Sequence, residues 1–359
     1  MKIGLIHGSL TKMGGAERVA VGFIDAINQI GIEPVVFTGD EELSKNIVKE
    51  LFDKKVDFTH IKISSVKMRT AFSLYRNALP RLFTTKLVGY DLVIDTSGLN
   101  LSPILGPKKM IRYTHNPLMH RLKESERHGF LWKLYRKPYE NLSRLIPKSC
   151  LLIANSEFTR ERIKKEWKRE AIILYPPVEI ERPKKHLCTK KQQFISVGRF
   201  SFEKRYEEVL SLAKLMPDYQ FKILGTLFDE KYFNKILNLS KSIENIKIVP
   251  NATNEEINYE LSDSKYFLHT MHNEDFGIAI VEAMSHGCIP IVHKSGGPVE
   301  IVENESLMFE DIRQVPNMIS LIKNEERSLA ETMIEKSLKY SYDSFVSKAR
   351  RILEDNLKL

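Results

Sequence analysis

Cysteine is scarce in this chain. Cys150, Cys188 and Cys288 are the only three in 359 residues, scattered and odd in number. They form neither a disulfide framework nor the paired spacing of a metal site, so a reducing cytoplasm is the expected setting. Long apolar runs are also missing. No stretch approaches the ~18 consecutive apolar residues of a membrane-spanning helix. Residues 1–7 are too short an apolar run for a secretion signal and read as a first strand. No internal repeat or low-complexity segment appears, which excludes a repeat array.

What is present is a globular composition, 42% hydrophobic and 28% charged. At about 150 residues per domain, the length predicts two domains. The net charge of +9 is unevenly spread. The first 180 residues hold 30 Lys and Arg against 19 Asp and Glu, and the remainder 25 against 27. Residues 60–90 carry six basic side chains and no acid. Residues 107–148 carry eleven against three Glu, interleaved with Tyr113, Phe130, Trp132, Tyr135 and Tyr139. Such a face, Lys108, Lys109 and Arg112 included, suits an anionic membrane, a phosphorylated substrate or nucleic acid. A plain solvated surface is the alternative.

Strand and helix signals alternate. Apolar runs at 2–6, 34–37, 91–95, 110–114 and 151–155 read as buried strands, and residues 17–30 have helical periodicity closed by Gly31. The pattern breaks after Tyr175-Pro176-Pro177, where charged, strand-poor sequence over 179–192 reads as a linker. Strands resume at 194–197, 221–224, 246–249, 265–269 and 289–292, and 344–359 is an amphipathic helix. This predicts an α/β protein of two doubly wound Rossmann-like domains, 1–178 and 193–340, facing a central cleft. The final segment, 341–359, is expected to pack back on the first domain.

Every motif follows a predicted strand, the position where such sheets bind ligands. His269-Thr270-Met271-His272-Asn273-Glu274-Asp275-Phe276-Gly277-Ile278-Ala279 leads into a helix carrying Glu282. A strand, a glycine turn and a helix start form an anion site, because the first helical N–H groups lack internal partners. Eight residues of helix span about 12 Å, more than the ~5–9.5 Å between paired hydrolytic carboxylates. Glu274 and Glu282 therefore suit one elongated, hydroxyl-rich ligand better than hydrolysis. Arg199 and Lys204 offer a planar fork and a point charge for a diphosphate, although this spacing is common. Gly14-Gly15 opens a helix without the spacing of a dinucleotide fingerprint or a P-loop. It reads as a connector or as a turn bringing N–H groups to phosphate. His115, at a strand end before Asn116-Pro117, is a site candidate. Ser295-Gly296-Gly297-Pro298 is a further glycine turn after a strand.

Together these residues resemble the retaining glycosyltransferases of family 4, which have the GT-B architecture. The resemblance lies in Glu274 to Glu282, in Gly14-Gly15-Ala16-Glu17-Arg18, and in Gly198-Arg199 with Lys204. It is nearest to the α-1,2-mannosyltransferases that extend dolichol-linked oligosaccharides. That branch is carried by residues 269–278, 295–298, 113–117, 155–156 and 175–177. The resemblance implies Glu274 at the donor sugar, Glu282 at the ribose, and Arg199 and Lys204 at the diphosphate. It also implies the backbone of Phe276, Gly277, Ile278 and Ala279 around sugar and phosphate. Gly14 and Gly15 would approach the diphosphate, and His115 the reacting side of the sugar. No metal and no cofactor are expected beyond the donor, GDP-mannose. The implied acceptor is a polyprenyl-phosphate-linked glycan or other glycolipid. The chain opens on a strand where eukaryotic members carry an anchor. Peripheral attachment to the cytoplasmic membrane face, through the basic first domain, is therefore expected. A UDP-sugar donor, a nucleotide-sugar epimerase and a nucleic-acid-binding protein are rival readings. The acidic second half argues against the last, and no nucleic acid is expected.

Overall fold

A computed structural model describes residues 1–63, 86–98, 106–117, 134, 137, 138, 141, 145–183 and 187–357. It divides into two compact units, Met1–Pro177 with Tyr342–Leu359, and Val178–Ser341.

The first unit is built on seven parallel strands: β1 (Ile3–Ile6), β2 (Val35–Thr38), β3 (Thr59–Lys62), β4 (Leu92–Asp95), β5 (Lys109–Thr114), β6 (Cys150–Ala154) and β7 (Ile172–Ile173). Their order is β3-β2-β1-β4-β5-β6-β7. β1 and β4 are buried along their length, as central parallel strands must be. Three helices are described before Pro177: α1 (Gly15–Gln29), α2 (Lys45–Phe52) and α3 (Glu157–Trp167). Gly31 adopts φ +78° and its N–H bonds the carbonyl of Asn28, a left-handed stop that glycine enters without strain.

The second unit has β8 (Lys191–Val197), β9 (Gln220–Gly225), β10 (Ile246–Pro250), β11 (Ser264–His269), β12 (Ile289–His293) and β13 (Met308–Phe309), in the order β10-β9-β8-β11-β12-β13. Its helices are α4 (Tyr206–Leu215), α5 (Glu230–Ser240), α6 (Asn254–Asp263), α7 (Ile278–Ser285), α8 (Gly297–Val302), α9 (Val315–Ile322) and α10 (Glu326–Ser337). Phe194 stacks between Phe221 and Tyr266, with centroids at 5.0 and 4.8 Å, and so ties β9, β8 and β11.

Two differences from the sequence reading concern boundaries. β8 begins at Lys191, inside the expected connector, because the Lys191 ammonium pairs with Asp263 at 2.6 Å and Gln193 bonds Ser264. These polar bonds escape an apolar count. The short edge strands β3, β7 and β13 also escape an apolar count. β7 and β13 have two residues each, too few to carry a period.

The last helix, α11 (Tyr342–Leu357), packs in the first unit. Phe345, Val346, Ala349 and Leu353 join its core. Phe345 lies edge-on to Phe23 of α1, with centroids 5.3 Å apart. Gly22 makes room for the ring: a Cβ there would stand 2.6 Å from Phe345.

Tyr113 and Arg112, read as part of a basic and aromatic face, are interior residues of β5. Tyr113 is fully buried and donates to the carbonyl of Leu174. Arg112 is 1% exposed, beside Asp95 at 3.9 Å. Lys108 pairs with Asp91 at 2.7 Å and Lys109 bonds the carbonyl of Asn356. Phe130, Trp132, Tyr135 and Tyr139, and the basic residues between 64 and 85, lie outside the described residues.

Candidate active site

In an open parallel sheet the strand order reverses at one point, and the loops leaving the two strands there diverge and open a crevice. The reversal lies between β8 and β11 in the second unit and between β1 and β4 in the first. The chain that follows each of these four strands therefore lines its unit's crevice.

β8 runs out through Gly198 into a short 3-10 turn, Phe202–Lys204. Gly198 faces Tyr206 and Lys204: a Cβ would stand 3.0 Å from the Tyr206 hydroxyl and 3.2 Å from Lys204 Cε. The missing side chain lets Lys204 pass inward, and its ammonium reaches Glu274 Oε2 at 2.7 Å. Thr270, just after β11, anchors this turn by donating to the Lys204 carbonyl. Arg199 takes another course. It is exposed, 3.7 Å from Glu203, and lies 4.8 Å over the Phe228 ring.

β11 ends at His269, which is 5% exposed. Its Nε2 lies 3.5 Å from the same Glu274 oxygen that Lys204 holds, and its Nδ1 has no hydrogen-bond partner. Burial alone would raise the Glu274 pKa. The Lys204 charge and the contacts with His269 overcome that and hold the carboxyl well below the usual range. Burial lowers the His269 pKa, opposed by Glu274 and reinforced by Lys204.

Helix α7 starts four residues after Glu274. Its N-cap is Gly277 at φ +109°, with no side-chain cap. Phe276 is buried against Tyr340, so its backbone rather than its ring is offered at this end. Ile278 and Ala279 open the helix half-buried, and Glu282 lies on the second turn, also half-buried. Uncapped N–H groups and the helix dipole favour an anion there.

The Gly296-Gly297 turn has a packing role. Cβ atoms on these residues would fall 2.4 Å from the Glu274 carbonyl and 2.6 Å from that of Asp275. The Gly297 N–H bonds the Glu274 carbonyl, and Ser295 Oγ accepts from the Asn273 N–H. This turn clamps the backbone that carries Glu274.

In the first unit, His7 follows β1 and Thr96 follows β4, and His7 Nδ1 meets Thr96 Oγ1 at 2.9 Å. Thr96 Oγ1 donates its single hydrogen to the Ile6 carbonyl, so it accepts from His7. His7 Nε2 faces Glu17 at 3.6 Å. The Glu17 carboxylate folds back over Gly14, where a Cβ would stand 2.3 Å from Oε2. Burial opposes its ionisation, but His7 lowers its pKa overall. The Glu17 carboxylate thus lies against Gly14. His115, just after β5, donates from Nε2 to the Thr96 carbonyl at 3.2 Å. Burial, helped by His7, lowers its pKa to about 4, so the ring is neutral near pH 7.

The structure thus joins Lys204, Glu274 and the start of α7, turns Arg199 outward, and sets His115 beside His7 and Thr96. His269 had no role in the sequence reading. It meets the criterion applied to His115, a histidine at the carboxyl end of a strand. Among the described residues no cluster of three or more His, Cys, Asp or Glu could hold a metal.

Comparison with known proteins agrees with this fold. The profile "Glycosyltransferase Family 4" matches residues 13–182, and "Glycosyl transferases group 1" matches residues 177–340. A Dictyostelium discoideum protein named GDP-Man:Man(3)GlcNAc(2)-PP-Dol alpha-1,2-mannosyltransferase is 26% identical over 380 residues, covering 86% of this chain and 74% of that one. The human protein of the same name is 26% identical, covering 83% and 73%. Among solved structures, WaaG, a glycosyltransferase involved in lipopolysaccharide biosynthesis, superposes with a TM-score of 0.73 at 15% identity, over 98% of this chain and 99% of WaaG. Between them the two profiles span nearly the whole sequence, and the chain belongs to the glycosyltransferases of family 4, with the GT-B fold.

Proposed function

We propose that this enzyme is a retaining α-mannosyltransferase that moves mannose from GDP-mannose onto a polyprenyl-phosphate-linked glycan or related glycolipid. The observation that carries the reading is the ionised Glu274, paired with Lys204 directly before the uncapped start of α7. An ionised carboxylate accepts from sugar hydroxyls, and a lysine beside a helix N-terminus suits a diphosphate. The relatives named for GDP-mannose and dolichol-linked acceptors support this choice of substrates.

In this reading the bond between the anomeric carbon and the diphosphate breaks as the acceptor oxygen bonds to that carbon on the same face. The acceptor proton passes to the leaving phosphate oxygen. The protein needs no nucleophile. Lys204 and the first N–H groups of α7 stabilise charge on the diphosphate. Glu274 and Glu282 hold the sugar and ribose. No metal takes part. The first unit carries the acceptor, and its basic surface docks on the cytoplasmic face of an anionic membrane. Arg112 has no part in that surface, being interior.

The test is a panel of nucleotide sugars offered with a prenyl-linked acceptor. Transfer from GDP-mannose is expected, and Lys204→Ala and Glu274→Ala should each lower kcat by at least about 100-fold. Turnover with UDP-sugars alone overturns the donor assignment. No binding or turnover of any nucleotide sugar overturns the whole reading.

A further inference from the structure

We propose that His269 is a positioning residue that takes up a proton when the donor binds, replacing Lys204 as the cation beside Glu274. The proposal rests on the donor reading above.

One oxygen, Glu274 Oε2, is shared by Lys204 Nζ at 2.7 Å and His269 Nε2 at 3.5 Å. The three side chains are 17%, 14% and 5% exposed for Lys204, Glu274 and His269. A carboxylate only accepts, so the neutral imidazole carries its hydrogen on Nε2 and leaves a bare lone pair on Nδ1. That Nδ1 is buried and has no partner. The charged groups facing the ring are Glu274, from the turn after its own strand, and Lys204, from the loop after β8. Tyr206, from α4, reaches the same corner near Lys204. On the adjacent strand β12, the residue in register is the uncharged Val292. While Lys204 sits on Glu274, a second positive charge here would be repelled.

A donor changes this balance. The diphosphate draws the Lys204 ammonium away from Glu274. A buried carboxylate stripped of its cation is strongly disfavoured, so a proton must arrive. If it went to Glu274 itself, one oxygen would cease to accept from the sugar. If it goes to His269 Nδ1, Nε2–H still points at Glu274, now as a charged donor, and the carboxylate stays ionised toward the sugar. The site exchanges one cation for another, and the proton comes from the buffer.

The experiment is isothermal titration of the full chain with GDP-mannose, whose diphosphate diester has no ionisation near neutrality. It is run at about pH 7 in phosphate and in Tris, buffers with different ionisation heats. The expected result is a buffer-dependent enthalpy corresponding to uptake of up to about one proton per donor. Affinity should then weaken with rising pH, by up to about tenfold per unit. The uptake should vanish in His269→Gln. The same loss is expected in His269→Asn, which serves if His269→Gln fails to fold. Binding without buffer dependence overturns the proposal alone. Uptake that persists in His269→Gln places the proton on another group and also overturns it. A merely structural histidine would alter affinity but leave no change in proton count. No heat with any nucleotide sugar overturns the donor reading, and this proposal with it.

Discussion

His115 illustrates how burial sets chemistry at a single residue. Its pKa is lowered from 6.5 to about 4, first by desolvation and then by the neighbouring His7. Between those two values the unfolded chain binds a proton that the folded chain does not. Stability is therefore full above 6.5 and is lost as pH falls toward 4. Wild type should lose on the order of 3 kcal/mol more than His115→Asn across that window. Urea denaturation at the two ends measures it; equal losses would mean that the ring is solvated. The two strand-end histidines also mark how far residues could be read from sequence. Position after a strand singled out His115, and the same rule applied to His269. Only the contact with Glu274 distinguishes His269 as part of the ion-pair cluster. Arg112 shows the converse, since its charge suggested a surface while its place in β5 makes it interior.

At the scale of elements, the glycine turn before α8 holds the turn before α7. Gly296 adopts φ +77°, and a Cβ would press on the backbone of Glu274 and Asn273 rather than on a movable side chain. Gly31 has nearly the same φ, +78°, but nothing within 4 Å. The two positions separate strain from collision. Gly31→Ala should cost about 1 kcal/mol of stability and leave turnover unchanged. Gly296→Ala should cost at least as much and also lower kcat/KM by about 100-fold, because Glu274 is displaced. Denaturation midpoints and initial rates on both variants check this; normal turnover in Gly296→Ala would remove the clamp from the site. The Ser-Gly-Gly-Pro string announced a turn, and its alignment against residues 273–276 was not legible because the two segments are remote in sequence.

At the scale of the whole molecule, the chain returns to its first unit through α11. That helix buries Phe345, Val346, Ala349 and Leu353 with Phe23 and Tyr113. At roughly 1.5–3 kcal/mol for each large apolar side chain, its removal should cost on the order of 5–10 kcal/mol. A chain ending at Ser341 should therefore lose protection from hydrogen exchange throughout residues 1–177. The second unit, whose six strands all lie between residues 191 and 309, should keep its own. Exchange measured by mass spectrometry distinguishes this from a loss spread over both units.

The sequence by itself determined the class of fold, because alternating apolar runs and amphipathic helices admit only covered parallel sheets. It also determined that each motif follows a strand, and it carried the family through residues 269–282. Local spacing encodes which face of an element is apolar, and that was enough for these conclusions. Strand order is not local. Only the folded sheets, reversing between β8 and β11 and between β1 and β4, brought Lys204 to Glu274 across 70 residues and His7 to Thr96 across 89. The tertiary structure therefore decided which charges meet. It turned Arg199 outward, set Glu17 over Gly14, and placed His269 beneath the carboxylate, because those partners are chosen by sheet topology and by the space that Gly198, Gly296 and Gly297 leave open.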